Sequence, residues 1–523
     1  MTQPQVPDEP GRRSPAAASA GDLSLLSLAD GGPLPSDIGA RGDLGAPGDA
    51  RREGQAVHVD REDTGRGAGV FDLHHPPSDD VISDCVHCGF CLPTCPTYLL
   101  WGEEMDSPRG RIYLSKIGKE GSVPMDDTYV QHFDACLGCM ACVTACPSGV
   151  QYDKLIESVR PQIERNYTRR WDDRAFRGLI FAMFPYPGRL RVAAVFGALY
   201  ERVGGHRLLE RARVLRLLPK RLQAMEALMP PVRIRDLARY TPAVTPAVGP
   251  TRARVGFLTG CVQRVFFSDV NAATVRVLAA EGCEVVAPRD QRCCGALSEH
   301  AGREPEALTR ARGLIDVFAD TGVDAIVSNV AGCGSSLKEY GHLLRDDAAY
   351  AEKAAAFSAK VRDVSELLAE LGPVAPRHPI QAKVAYHDAC HLGHAQGVRA
   401  QPRAVLESIP GLQVTDIPEA EICCGSAGIY NLVNPEPAEE LGRRKVDNVL
   451  SVTPDALATS NPGCLLQIRR FWPGDLPMFH PVELLDASIR GVDPVSAAAT
   501  RTSQRPAPPE TRYDARTAEP GTF

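Results

Sequence analysis

Eight cysteines carry the first chemistry in this chain. Cys85, Cys88, Cys91 and Cys95 form the run CVHCGFCLPTCP, and 51 residues later Cys136, Cys139, Cys142 and Cys146 repeat its spacing as CLGCMACVTACP. The pattern C-x2-C-x2-C-x3-C-P is that of [4Fe–4S] ligation, and two such runs make a two-cluster electron wire. Three thiolates at three-residue steps can wrap one corner of a cubane. The fourth, just ahead of Pro96 or Pro147, lies too far along to close the same cluster and crosses to the other. The expected sets are therefore Cys85, Cys88, Cys91 and Cys146 for cluster 1, and Cys136, Cys139, Cys142 and Cys95 for cluster 2.

Zinc fits this pattern poorly. Structural zinc sites built from four cysteines pair two separated C-x2-C knuckles and have no use for a third cysteine three residues on. A disulfide framework fits less well still, because the N-terminal stretch MTQPQVPDEPGRRSPAAASAG has no apolar core of an export signal. Seventeen cysteines without such a signal imply reduced thiols acting as ligands, hence a cytoplasmic setting. Between the runs, residues 102 to 118 read GEEMDSPRGRIYLSKIG. Ser107 and Pro108 mark a helix entry. Arg109 and Arg111 either offset thiolate charge or pair with carboxylates. His87, inside the first loop, is expected to tune a cluster at most, since four cysteines already complete each set.

A second array lies in the C-terminal half. Cys261, Cys293, Cys294 and Cys333 are followed at roughly 130 residues by Cys390, Cys423, Cys424 and Cys464, with intervals C-x31-CC-x38-C and C-x32-CC-x39-C. Short β-like runs lead to four of them: RVGFLTGC, VDAIVSNVAGC, KVAYHDAC and DALATSNPGC. Strand, cysteine-bearing turn, helix is the order of an α/β unit, whose ligands sit at the carboxyl ends of the strands. The eight thiols are expected to line one cleft between two pseudo-symmetric lobes, as an additional redox or metal site. Gly295 and Gly425 are expected to let backbone approach a bulky centre. Cys283 has no counterpart in the second copy and reads as a buried strand residue. His300, His387 and His391 lie near these cysteines, and hydrogen-bonded core histidines are the expectation for each.

Residues 1–79, rich in Ala, Gly, Pro and Asp, and 491–523 are expected to be disordered. Residues 80–160 form the helical two-cluster domain, and 161–250 a basic helical connector containing Arg207, Arg211, Arg213, Arg216, Lys220 and Arg221. Residues 251–375 and 376–490 are the two α/β repeats. The fold class is thus a multidomain α+β and α/β chain. The connector suits a layer packed on the remainder, with docking to a partner or an anionic membrane as the alternative. At 44 % hydrophobic, 24 % charged and net −7, the composition gives no case for a nucleic-acid surface. No uninterrupted apolar span is long enough to cross a membrane.

CVHCGFCLPTCPTYLLWGEEMDSPRGRIYLSK, CLGCMACVTACPSGVQY, GCVQRVFFSDVNAATVRVL, CCGALSEH and CCGSAGIYNL together resemble the iron–sulfur subunits of bacterial glycolate oxidases, over roughly residues 80 to 488. The wider group sharing ferredoxin-type runs and paired CCG repeats includes the glycerol-3-phosphate dehydrogenase C subunit and heterodisulfide reductase B-like proteins. The resemblance implies an electron-relay subunit with two [4Fe–4S] clusters. Flavin-containing partner subunits would oxidise the hydroxy acid, with quinone as acceptor at the inner face of the cell membrane. No G-x-G-x-x-G opens a βαβ unit, so neither flavin, nicotinamide nor a catalytic residue for substrate oxidation is expected in this chain. The same relay could serve lactate, glycerol 3-phosphate or a heterodisulfide, and a cluster-bearing sensor or scaffold is the reading from another class. One departure stands out. The fullest CCG motif ends in CxxC, but here those positions read CGSS (333 to 336) and CLLQ (464 to 467), leaving Ser336 and Gln467 where a fifth thiol would be. A cluster shared between the repeats, a zinc site and a dithiol switch all fit the remaining thiols.

Overall fold

The computed structural model describes residues 69–205, 217–230 and 237–503, the last five by backbone alone. Around the first cysteine set the chain is short helices and loops. Ser107 caps the helix Pro108–Lys119, its hydroxyl accepting from Gly110 N at 3.0 Å with Pro108 at the first position, as the local sequence predicts. That helix packs Ile112 and Leu114 against the helix Tyr152–Asn166, whose Leu155, Ile156, Val159 and Ile163 recur at three- and four-residue steps and are buried. Burial of each such side chain stabilises the domain by about 1.5–3 kcal/mol. The helix runs through Pro161 to Asn166, so the expected domain end at 160 falls inside it.

The packed chain also begins earlier than residue 80. Phe71 is 2 % exposed within this core, and the Asp72 carboxylate accepts from Arg165, Gln162 and Asn166. One aromatic and one multiply bonded carboxylate suffice to order a stretch whose composition alone predicts disorder. At the other end, the helix Pro494–Ser503 buries Val495 and lies within the expected C-terminal tail. Residues 1–68 and 504–523, the remainder of the two expected disordered segments, lie outside the described residues.

Each repeat is built on four parallel strands with helices, and the first adds an antiparallel edge strand. The first has the order β1-β3-β2-β4-β5, with β1 (Val244–Thr245), β2 (Ala253–Leu258), β3 (Cys283–Val286), β4 (Ala325–Ser328) and β5 (Val361–Asp363). The second has the order β7-β6-β8-β9, with β6 (Ala382–His387), β7 (Leu412–Asp416), β8 (Ala456–Thr459) and β9 (Met478–Phe479). Strands β3-β2-β4-β5 and β7-β6-β8-β9 correspond one to one, which is duplication in three dimensions. The antiparallel strand β1 pairs with β3 and belongs to the first sheet, so the connector ends before residue 250. Both last strands lead into a helix with a capping box, at Asp363 and at His480.

The two sheets share one core. Val255 and Phe257 of β2 pack in the same apolar cluster as Val384 and Tyr386 of β6 and Leu485 of the helix Pro481–Ile489. Arg276 grips Asp486 across the boundary through two bonds of 2.8 Å. Cys283 is a fully buried strand residue in this core.

In the connector, the helices Trp171–Met183 and Pro187–Arg202 meet at a 101° bend. Leu190, Ala194 and Ala198 are buried on one side of the second, while Val192, Phe196 and Leu199 are exposed on the other. Among the described residues no single helix is long and apolar enough to cross a membrane. Lys220 pairs with Glu436 and Arg221 with Asp173, so both serve as internal ties. Arg207, Arg211, Arg213 and Arg216 lie outside the described residues.

Candidate metal centres and the cavity between them

The two ferredoxin-type runs fold alike. Backbone φ turns positive at His87 (55°) and Gly89 (86°) in the first, and at Gly138 (63°) and Met140 (63°) in the second, the same two places in each loop. Such alternation gathers successive N–H groups into a concavity that suits anionic sulfur. Gly138 N lies 3.4 Å from Cys136 Sγ, and the His87 N–H addresses Cys85 in the same way. His87 is thus a backbone position, one of the residue types that tolerates the left-handed region. The N–H of Arg109, near the start of its helix, is directed at Cys91, and that of Ala141 at Cys139.

Cys85, Cys88, Cys91 and Cys146 line one small cavity, and Cys142 of the other expected set lines it too. Cys142 has Cys139, Cys136, Cys95 and Cys91 as electrostatic neighbours, so all eight thiols of the two runs gather in one region. Burial pushes Cys91 up to about 11 and holds Cys139 and Cys142 well above the ordinary thiol value. Cys136 is the exception. Burial alone would raise it, but the Arg111 and Arg160 guanidiniums, the Tyr152 hydroxyl and the Gly138 N–H bring it below the ordinary value. All seventeen cysteines are free thiols. Closely gathered thiols with N–H groups already aimed at sulfur are a donor set that a cationic metal group would convert to thiolates on binding. The donor set fits iron–sulfur ligation.

Arg111 is both of the things its sequence allowed. Fully buried, it donates to Asp106 Oδ1 (3.1 Å), Asp106 O (2.6 Å) and His132 O (2.6 Å), and its charge faces Cys136 and Cys95. Arg109 instead pairs with Glu104 and donates to His87 O at 3.0 Å, bracing the first loop.

In each repeat the thiols form a chain of side-chain contacts: Cys261 to Cys293 to Cys294 to Cys333, and Cys390 to Cys423 to Cys424 to Cys464. Seven of the eight, all but Cys424, line one cavity of about 360 Å³. Cys139 of the ferredoxin-type domain lines it too, with Cys390 and Cys423 as neighbours, and Met183, Leu190 and Met229 supply an apolar wall from the connector. Gly425 has φ of 86°, and an added Cβ would meet Ala438 O at 2.7 Å. Its lack of a side chain serves the approach of a helix backbone, where the sequence suggested a metal group.

The residues in place of a fifth thiol are committed elsewhere. Ser336 bonds Glu299, while Gln467 accepts from Asn431 Nδ2 (3.0 Å) and donates to Ala438 O (2.7 Å). His391 bonds Gly138 O at 3.1 Å and His387 bonds Thr459 Oγ1 through Nδ1 at 3.4 Å, as expected, but His387 Nε2 and His300 Nε2 are buried with no hydrogen-bond partner among the described residues.

A dicluster domain packed on a duplicated, cysteine-rich α/β unit defines the chain as an iron–sulfur protein. Residues 81–150 match the 4Fe-4S dicluster domain family, and 255–338 and 384–469 the Cysteine-rich domain family. Residues 172–229 match the family described as glycolate oxidase iron-sulfur subunit, linker region. The chain belongs to the glycolate oxidase iron–sulfur subunit family. It is 39 % identical over 394 residues to the probable glycolate oxidase iron-sulfur subunit of Bacillus subtilis, covering 74 % of this chain and 88 % of that one. It is 36 % identical over 422 residues to the glycolate oxidase iron-sulfur subunit of Escherichia coli, covering 79 % and 95 %. Lactate utilization protein A of Oceanobacillus iheyensis is 29 % identical over 242 residues, 46 % of this chain and 98 % of that one.

Proposed function

We propose that this chain is the electron-transfer subunit of a complex that oxidises glycolate to glyoxylate, receiving electrons from flavin-containing partner subunits and passing them to a quinone-type acceptor. Cys85, Cys88, Cys91 and Cys146 would hold one [4Fe–4S] group, and Cys136, Cys139, Cys142 and Cys95 the other. Bound there, such groups supply one-electron storage and transfer. The observation that carries the reading is the placement of Cys139, a member of the second set that also lines the cavity holding seven thiols of the duplicated unit. A relay needs its members in contact from one domain to the next. The Arg111 guanidinium, buried against Cys136 and Cys95, would stabilise added negative charge at the inner set. The apolar wall of Met183, Leu190 and Met229 suits a hydrophobic acceptor and excludes bulk water from the thiols. A peripheral position on the inner face of the cell membrane follows from such an acceptor.

The test uses the whole complex. Cys88→Ser or Cys139→Ser should abolish glycolate-to-quinone activity while flavin-to-dye activity of the partner subunits survives. Full quinone activity in either variant would show that the chain is not the relay. Supplying lactate in place of glycolate separates the two substrate readings, since a lactate utilization protein aligns with this chain over 98 % of its own length.

A further inference from the structure

The two repeats differ where their thiols gather. With Cys261 matched to Cys390, Leu258 at the end of β2 corresponds to His387 at the end of β6. The glycines give a second match: Gly295 is backed by Ala307 and Gly425 by Ala438, which sets Leu314 against Lys445. All four side chains are buried, at 2 % exposure or less. The second repeat therefore places an imidazole and an ammonium where the first has two leucines. Burying such groups is costly unless something partners them.

Lys445 Nζ donates to Glu419 O at 2.5 Å, and its charge faces Cys390, Cys423 and Cys424. His387 Nδ1 lies 3.4 Å from Thr459 Oγ1, which leaves Nε2 without a partner among the described residues. A ring nitrogen of His387 and the sulfurs of Cys424 and Cys464 all lie within 4.8 Å of one another. Ligands at about 2.0–2.3 Å from one tetrahedral ion stand roughly 3.3–3.8 Å apart, so a small contraction closes this triangle on a metal.

We propose that the second repeat holds a thiolate–imidazole metal centre with His387, Cys424 and Cys464 as ligands, and that the first repeat holds no imidazole-ligated counterpart. Cys423, in contact with Cys424, is placed as the fourth donor. His387 supplies the additional donor that the sequence lacks at Gln467, whose amide is spent on Asn431 and Ala438. Lys445, itself buried, offsets thiolate charge there. Sulfur and imidazole donors select zinc or iron over magnesium or calcium. Leu258 cannot ligate, which confines the centre to the repeat that adjoins Cys139.

The test is made on the complete complex, purified anaerobically from cells grown on 15N-histidine. Its readouts are metal content, zinc and iron X-ray absorption, and pulsed EPR. A zinc edge with one imidazole among thiolates, or an iron signal coupled to 15N-histidine, is the expected result and tells the two metals apart. His387→Leu, which copies the first repeat, should lose this centre while the dicluster signals persist. His387→Cys should keep the metal with nitrogen replaced by sulfur, and this variant carries the test where the leucine variant fails to fold. Leu258→Met should leave every readout unchanged. Absence of any nitrogen-ligated metal in the natural protein, or an unchanged nitrogen signature in His387→Cys, would overturn the proposal. These readouts do not depend on turnover, so failure of the glycolate-to-quinone reading would leave this one standing, and the reverse holds too.

Discussion

The His300 imidazole lies flat on that of His391, ring centroids 4.8 Å apart and planes within 2° of parallel. One ring comes from the first repeat and the other from the second, and His391 also bonds Gly138 O of the second ferredoxin-type loop. Three units of the chain thus meet at two stacked rings beside the thiol-lined cavity. Burial, with His391 beside it, holds His300 far below its ordinary value, so the stack is between neutral rings.

Arg160 reinforces that junction, donating to His300 O at 2.8 Å and to Cys136 O at 2.6 Å. Each bond from a charged donor contributes about 1.5–3 kcal/mol. Arg160→Met should therefore destabilise the holo-protein by about 3–6 kcal/mol in denaturant titration. An unchanged midpoint would mean that the domains are held together without it.

Phe71 anchors the segment ahead of the first cysteine. Phe71→Ala should cost about 3 kcal/mol, the usual loss for a buried phenylalanine, with Asp72→Asn adding a smaller loss from its bonds to Arg165. The same substitutions make residues 69–79 accessible to limited proteolysis. A variant as stable and protease-resistant as the natural protein would show that the segment does not pack as described.

The two CCG glycines should respond unequally to alanine. Both have positive φ, which costs about 1 kcal/mol for a side-chain-bearing residue. At Gly425 the new Cβ meets Ala438 O at 2.7 Å, while at Gly295 the contact with Ala307 O is an ordinary 3.4 Å. Gly295→Ala should lower stability by about 1 kcal/mol and Gly425→Ala by clearly more. Equal melting temperatures for the two variants would contradict the tighter packing of the second repeat.

Acid should unfold the protein partly through His480, the cap of the helix Pro481–Ile489, whose Nδ1 accepts from Val482 N. Burial pushes its pKa down to about 4 from an ordinary 6.5. The stability this confers is fully present above pH 6.5 and is lost as pH falls through 4, amounting to about 3 kcal/mol at most. His480→Asn keeps a capping acceptor and removes the titration, so the variant should lose less stability than the natural protein between pH 6.5 and 4. Neighbouring Glu483, raised by burial to about 7, contributes with the opposite sign and is common to both proteins, so it cancels in the comparison. Parallel stability curves would rule out His480 as the source.

Cysteine spacing determined the ferredoxin-type runs and the duplicated unit, because iron–sulfur ligation and strand-end turns impose local spacings that survive in a linear string. The helix entry at Ser107-Pro108 was legible for the same reason, since a cap and its first turn are neighbours in sequence. The boundaries at 79, 160, 250 and 490 were not. Phe71, the helix through Pro161, the two-residue strand β1 and the helix after Pro494 are ordered by partners far along the chain, and composition carries no trace of those partners. The pairing of RVGFLTGC with KVAYHDAC already held the exchange of Leu258 for His387, yet its meaning required burial and an unpartnered nitrogen, which only packing creates. Placement of Cys139 against Cys390 was likewise a tertiary decision. It depends on how two domains dock, and docking is set by whole surfaces rather than by the spacing of any motif.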